Sequence, residues 1–166
     1  MTWGIPTASF LQIHVAISLI GIVSGLVAVY GLLSGNMLAG WTALFLAATV
    51  LTSVTGFPLP PFGFDPPRAI GILSLVLLAL AILALYALRL AGPWRAVYIV
   101  TALIALYLNA FVAIIQAFQK VSFLHPLAPT QSEPPFIITQ LAVLIAFVVF
   151  GILAVRRFHP VATPAE

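Results

Sequence analysis

Residues 95–120 read RAVYIVTALIALYLNAFVAIIQAFQK, with charged side chains only at the two ends of the stretch. Roughly 20 apolar residues are enough for a helix to cross about 30 Å of hydrocarbon, so this stretch predicts a transmembrane helix. Within it, small and then polar residues recur at steps of three and four, which places them on one helical face. We expect that face to point into a helical bundle. Its members are Ala102, Ala105, Asn109, Ala113, Gln116 and Lys120.

Four other stretches of the chain are equally apolar. Of the 166 residues, 63% are hydrophobic and only 5% are charged, whereas a soluble domain is roughly 45–50% apolar. We therefore predict an all-α fold, an integral membrane bundle of five transmembrane helices that forms a single domain over residues 1–166. The predicted spans are residues 10–33, 38–57, 68–90, 95–120 and 136–155. Since no basic n-region precedes the first span, we interpret it as a retained helix.

The connections between the spans predict the topology. Residues 58–67 and 121–135 form long, proline-rich loops, and because they alternate with two short hairpins, both long loops lie on one side of the membrane. Arg68 and Lys120 are the only basic residues on that side, and the excess of Lys and Arg marks the cytoplasmic side. The other four are Arg89, Arg95, Arg156 and Arg157. We predict a periplasmic N-terminus and a cytoplasmic C-terminus in a bacterial cytoplasmic membrane.

Polar side chains accumulate on the predicted periplasmic side. Such groups are costly in or beside hydrocarbon, so their accumulation is by default a functional-site hypothesis. We predict that nine residues form a polar pocket that opens to the periplasm beneath the two proline-rich loops. They are His14, Asp65, Arg68, Asn109, Gln116, Lys120, His125, Glu133 and Gln140.

Several of these residues also have a purely structural interpretation. His14 lies on one helical face with Gly21 and Gly25, a pattern of small residues that lets backbones approach closely, and its imidazole can simply bond to a neighbouring carbonyl. Asp65 precedes two prolines and is typical of a helix cap, the alternative being an ion pair with Arg68. Lys120 can extend to the lipid headgroups. Hydroxyls in the second span favour bonds to carbonyls one turn back. They belong to Thr49, Thr52, Ser53 and Thr55.

The chemistry of the chain is restricted by what it lacks. There is no cysteine, no His-Glu-x-x-His or Gly-x-Ser-x-Gly motif and no phosphate loop, so the sequence favours a protein that is not an enzyme. The few scattered basic residues exclude a nucleic-acid surface. Haem would need axial ligands such as His14 and His125. A metal ion could use the same pair with Glu133, whereas Met37 lies on the wrong side for copper. The sequence identifies neither the cofactor nor the ligand.

Two segments carry a resemblance to other proteins. VTGFPLPPF at 54–62 and APTQSEPPF at 128–136 resemble segments of small, uncharacterised multispan proteins of bacterial inner membranes. The resemblance covers most of the chain and implies an inner-membrane location, but no activity.

From these observations we predict a non-enzymatic protein whose pocket binds a small ligand or a partner, as an accessory subunit of a larger membrane complex or as a homo-oligomer. Amides and an imidazole in such a pocket suit the carbonyl or phosphate oxygens of a quinone or a lipid headgroup. The alternative is a redox or ion-handling component that binds quinone, haem or metal through His14 and His125.

Overall fold

The structure is a computed structural model that describes residues 1–60 and 66–159. The described part of the chain forms five long helices, and each is long and apolar enough to span a membrane. They are α1 (Thr7–Leu33), α2 (Ala39–Gly56), α3 (Pro66–Ile82), α4 (Trp94–Lys120) and α5 (Pro134–Arg157). The predicted all-α bundle of five transmembrane helices is confirmed. When the π-helical turn that continues α3 to Ala87 is included, the ends of the spans differ from the predicted ones by at most three residues.

Proline sets where most of the helices begin. Pro6 and Pro93 immediately precede α1 and α4, and α5 starts with two prolines in its first turn. Proline suits these positions because the first turn has no intrahelical acceptor for its amides and the fixed φ of proline is already helical. The third span continues beyond α3 as a single π-helical turn, Leu83–Ala87, and then breaks at Arg89 and Leu90, whose φ angles are +47° and +58°. This break ends the span three residues before the predicted boundary.

The helices alternate in direction, so the bundle has two unlike ends. One end, which we call the hairpin end, holds the α1–α2 and α3–α4 connections. The last residue of α5, Arg157, lies at the same end. The opposite end, which holds residues 1–6 and the loops that follow Gly56 and Lys120, is the loop end. The apolar core lies at the hairpin end, where it includes Leu32, Phe45, Leu78 and Tyr98, all 3% exposed or less. The two ends therefore differ in how tightly they are filled.

Glycine permits a close helix contact in the bundle. A Cβ atom placed on Gly25 of α1 would lie 2.5 Å from Leu106 Cδ1 and 2.8 Å from Phe45 Cδ2, so α1 meets α4 and α2 there without room for a side chain. Gly21, one turn earlier, lies against Thr49 and Asn109 in the same way. The close approach predicted from the spacing of these glycines is confirmed.

Arginine side chains fasten the hairpin end. Arg95 at the start of α4 donates from Nη1 to the carbonyl oxygens of Val155 and Phe158, at 2.7 and 2.5 Å. The Val155 carbonyl belongs to the last turn of α5 and Phe158 directly follows the helix, so neither carbonyl accepts a hydrogen bond within it. Arg157 reaches the Leu33 carbonyl of α1 at 3.5 Å. Guanidinium groups thus connect the end of α5 to α4 and α1.

Candidate functional site

At the loop end, four helices enclose a cavity of about 660 Å³. Its lining comes from α1 to α4 and from the residues that follow α2, while α5 contributes no lining residue. The volume falls in the range of roughly 300–1,000 Å³ typical of small-molecule sites. Apolar side chains supply most of the lining surface, so the space is less polar than the sequence indicated. Five of the nine predicted site residues line it: His14, Arg68, Asn109, Gln116 and Lys120.

Asn109 and Ser18 form the floor of the cavity. The Ser18 hydroxyl donates to Asn109 Oδ1 at 2.8 Å, and Asn109 Nδ2 lies 3.4 Å from the Ser18 carbonyl oxygen. Asn109 is only 9% exposed, and the small size of Gly21 leaves room for its amide. Because both ends of the amide are used by α1, this pair holds α1 and α4 together and closes the cavity towards the core.

His14 faces the cavity from α1 and forms a hydrogen bond with a hydroxyl of α2. Its Nδ1 lies 2.8 Å from Thr55 Oγ1. The single proton of that hydroxyl is already directed at the Leu51 carbonyl oxygen, 2.7 Å away. With that proton on the Leu51 carbonyl, Thr55 accepts and His14 Nδ1 donates, an assignment made from the pattern of hydrogen bonds. The second ring nitrogen, Nε2, forms no hydrogen bond within the described residues, so it remains able to bind another group.

The hydroxyls of α2 are occupied by their own helix. Thr49, Thr52 and Ser53 donate to the carbonyl oxygens of Phe45, Ala48 and Thr49, respectively, at 2.8, 2.9 and 3.0 Å. The predicted preference for bonds one turn back is confirmed for all of them, Thr55 included. Thr49, Thr52 and Ser53 line the cavity, and each offers only an acceptor to it because its proton is already in use.

Arg68 joins the start of α3 to the end of α2. Its Nη2 donates to the carbonyl oxygens of Leu59 and Phe57, at 2.7 and 3.3 Å. These bonds hold the chain that follows α2 beside the cavity, which Arg68 also lines. Asp65, predicted to cap this helix or to pair with Arg68, lies outside the described residues.

Gln116 and Lys120 occupy the mouth of the cavity on successive turns of α4. Neither side chain forms a hydrogen bond within the described residues. Lys120 is exposed, and Gln116 is half-buried one turn deeper. The polar groups of the floor therefore satisfy one another, whereas those of the mouth are open to a ligand.

Three predicted site residues lie outside the cavity lining. His125 is exposed in a short 3-10 turn, His125–Leu127, and Glu133 precedes α5. Gln140 donates from Nε2 to the Phe111 carbonyl oxygen at 3.2 Å. Its Oε1 is buried without a partner in the described part of the chain. These residues share the loop end with the cavity, but α5 and its loop lie to one side of it.

Glu133 is bound by its own loop. Its Oε1 accepts from the amide and the hydroxyl of Thr130, at 3.1 and 2.8 Å, and its Oε2 accepts from the Ser132 amide at 3.1 Å. Desolvation alone would raise the pKa of this carboxyl, but the hydrogen bonds from Thr130 and Ser132 outweigh it and hold the pKa below its usual value. The side chain orders the loop before α5.

Sequence reasoning missed some residues around the cavity. Ser74 and Gly71 of α3 line it, although neither was among the predicted site residues; their spacing from Arg68 is the signal that could have included them. Gln131 donates from Nε2 to the Ile115 carbonyl oxygen of α4 at 3.1 Å, which fastens the second long loop to α4. Its φ of +60° was not predictable from its residue type.

The donor groups do not gather as a metal site. Among the residues that the structure describes, no group of three His, Cys, Asp or Glu side chains lies close enough together to hold an ion. His14 lines the cavity and His125 does not, so the pair invoked for haem or metal binding does not share this site. No family model, curated protein or solved structure matches the chain.

Proposed function

We propose that this chain is a non-enzymatic multispan membrane protein that binds a small molecule in the loop-end cavity. One observation carries the proposal: His14 Nε2, Gln116 and Lys120 present open hydrogen-bonding capacity around a largely apolar space. Binding sites for small molecules commonly combine apolar walls with a few convergent polar groups that fix the orientation of the ligand.

The direction of the hydrogen bond at His14 supports binding over catalysis. A hydroxyl nucleophile gives its proton to an adjacent imidazole. Here the Thr55 proton is directed at Leu51, and His14 donates to the Thr55 oxygen. The α2 hydroxyls that line the cavity likewise donate to carbonyl oxygens of their own helix. Among the cavity residues that the structure describes, this arrangement activates no hydroxyl as a nucleophile.

We place the loop end in the periplasm of a bacterial cell, with the hairpin end in the cytoplasm, because four of the six basic residues fall at the hairpin end. The absence of cysteine from the chain makes this testable. Ser122 and Ser34 are exposed at the loop end and the hairpin end, respectively. A membrane-impermeant maleimide should label Ser122→Cys in intact cells and Ser34→Cys only after lysis. The reverse pattern would invert the proposed orientation.

The binding proposal is tested by filling the cavity. Ala113 lines it, whereas Ala43 is exposed on the outside of α2. Native mass spectrometry of the protein extracted from its own membranes in mild detergent should show a bound mass in wild type and in Ala43→Phe. The bound mass should be lost in Ala113→Phe. If Ala113→Phe folds normally and retains the same bound mass, or if wild type carries none, the cavity is a packing feature and the proposal fails.

A further inference from the structure

The chemical class of the ligand follows from how polarity changes with depth, and this inference rests on the proposed function. At the floor, Ser18 and Asn109 satisfy each other. At the mouth, Gln116 and Lys120 are open, and His14 Nε2 is open one helical turn above Ser18. A ligand that satisfies these groups therefore has its polar part between the mouth and His14, and a part without polar groups below. That division is the definition of an amphiphile.

The apolar part of the cavity is continuous with the outer surface of the bundle. Leu11, Val15 and Leu19 of α1 line the cavity, yet they are 36%, 43% and 54% exposed. Leu108 and Val112 of α4 line it opposite them. The cavity wall between α1 and α4 is the least tightly packed, since α1 packs far more extensively on α2 than on α4. The cavity thus opens sideways towards the lipid, above the Ser18–Asn109 pair.

The depth of this opening corresponds to half of a bilayer. From Thr7 to Leu19 on α1, and from Lys120 to Leu108 on α4, the lining covers 13 residues of helix. The 12 steps between the first and the last of them correspond to roughly 18 Å at 1.5 Å per residue. One leaflet contributes about 15 Å of the roughly 30 Å hydrocarbon core. An amphiphile with its head at Lys120 would have its chain at the depth that it already occupies in the membrane.

The charge of the cavity lining indicates which kind of polar headgroup the ligand carries. Lys120 lies at the mouth of the cavity, and the described lining residues include no carboxylate. Basic groups between transmembrane helices favour anionic lipid headgroups, by about 1 kcal/mol for each Lys or Arg near the surface. The geometry points to an anionic amphiphile, with a phosphate head at Lys120 and Gln116 and a hydrocarbon chain between α1 and α4, taken sideways from the adjacent leaflet.

The test uses the full chain reconstituted into vesicles of equal parts phosphatidylcholine and phosphatidylglycerol, followed by native mass spectrometry of the retained lipid. We expect retention of phosphatidylglycerol in preference to phosphatidylcholine. Lys120→Gln should lower that retention about fivefold, while Arg89→Gln, an exposed charge at the hairpin end, should leave it unchanged. Val112→Trp should block the path of the chain, and Val149→Trp, exposed on α5, should not.

A parallel arm separates this inference from the proposed function. The same protein in pure phosphatidylcholine vesicles is incubated with inorganic phosphate or glycerol phosphate, which offer the head without the chain. If these soluble anions bind and Ala113→Phe abolishes their binding, the cavity is a ligand site but the amphiphile is wrong. Equal retention of both lipids, or retention of phosphatidylglycerol that Val112→Trp leaves unchanged, also overturns the amphiphile. If Ala113→Phe retains both the lipid and the soluble anion, both proposals are overturned.

Discussion

The hairpin end and the loop end are built from the same helices but are filled in different ways. At the hairpin end, α4 presents Ala102, Ala105 and Leu106, all at most 5% exposed, and its neighbours close around them. At the loop end, the same face of α4 presents Ala113 and Gln116, which are only half-buried beside open space. The sequence of one helical face thus changes from close-packed to cavity-lining within about three turns.

The contrast shows how a small bundle can combine stability with an internal space. Apolar burial and the Arg95 bonds to the end of α5 are concentrated at the hairpin end. The loop end is held by discrete polar contacts instead, such as Ser18 with Asn109. Regions with few buried apolar contacts open most readily, so we expect motion of this protein to be concentrated around the cavity.

The largest effect is expected from adding one methyl group to a glycine, which tests whether the hairpin end is more tightly packed than the loop end. Gly25→Ala places a Cβ 2.5 Å from Leu106 Cδ1 in the filled half, whereas a Cβ on Gly71 would meet Phe57 Cζ at 3.6 Å, an ordinary contact. Overpacking costs about 1–3 kcal/mol, and alanine in a helix interior favours folding by about 0.5–1 kcal/mol over glycine. Gly25→Ala should therefore lower the unfolding temperature in detergent, and Gly71→Ala should leave it equal or higher. Equal losses in both variants would contradict the contrast.

A smaller effect is expected from the floor of the cavity. In a double-mutant cycle, Ser18→Ala and Asn109→Ala should show a coupling energy of about 0.6 kcal/mol, the mean for polar pairs between membrane helices. Ser24 provides the matched control, because its hydroxyl donates to the Ile20 carbonyl of its own helix at 2.6 Å. The free energies would be measured by unfolding in mixed detergents. A Ser24–Asn109 cycle with as much coupling would show that the Ser18 bond has no specific role.

The smallest effect is a pH dependence of the loop that precedes α5. Since hydrogen bonds lower the pKa of Glu133 in the folded protein, its contribution is fully present above the ordinary value of 4.5 and is lost as the pH falls through the lower, folded value. Hydrogen exchange at the Thr130 and Ser132 amides should accelerate in wild type relative to Glu133→Gln as acidification removes the carboxylate. The two proteins should converge at the acidic end. A constant difference at every pH would mean that the carboxylate does not order the loop.

The fold was predictable because spans depend on length and hydropathy alone. Residues 95–120 already carried the signal, as did the two proline-rich loops. The polar face of α4 was likewise readable from its steps of three and four, and the structure brings Asn109, Gln116 and Lys120 to one cavity. Periodicity along a single helix is local information, which a sequence contains directly.

The partners of that face were not predictable in the same way. Gln140 and Glu133 were assigned to the site because they share its side of the membrane, yet Gln140 bonds to the Phe111 carbonyl and Glu133 to its own loop. Topology restricts which end of the bundle a residue occupies, but not which helices are neighbours. The contributions of Gly71 and Ser74 depend on where α3 stands relative to α1 and α4.

The position of α5 at the edge of the bundle has an evolutionary consequence. In the most apolar 18-residue stretch of α5, only 6% of the residues are buried. Ile138, Ile145 and Val148 are each more than half exposed. Lipid tails accept any aliphatic shape, so Leu, Ile and Val should exchange there with little effect. Sequence divergence between related chains should therefore concentrate on this outward face, while Gln140 and Ala154, buried on the opposite side, should drift far more slowly.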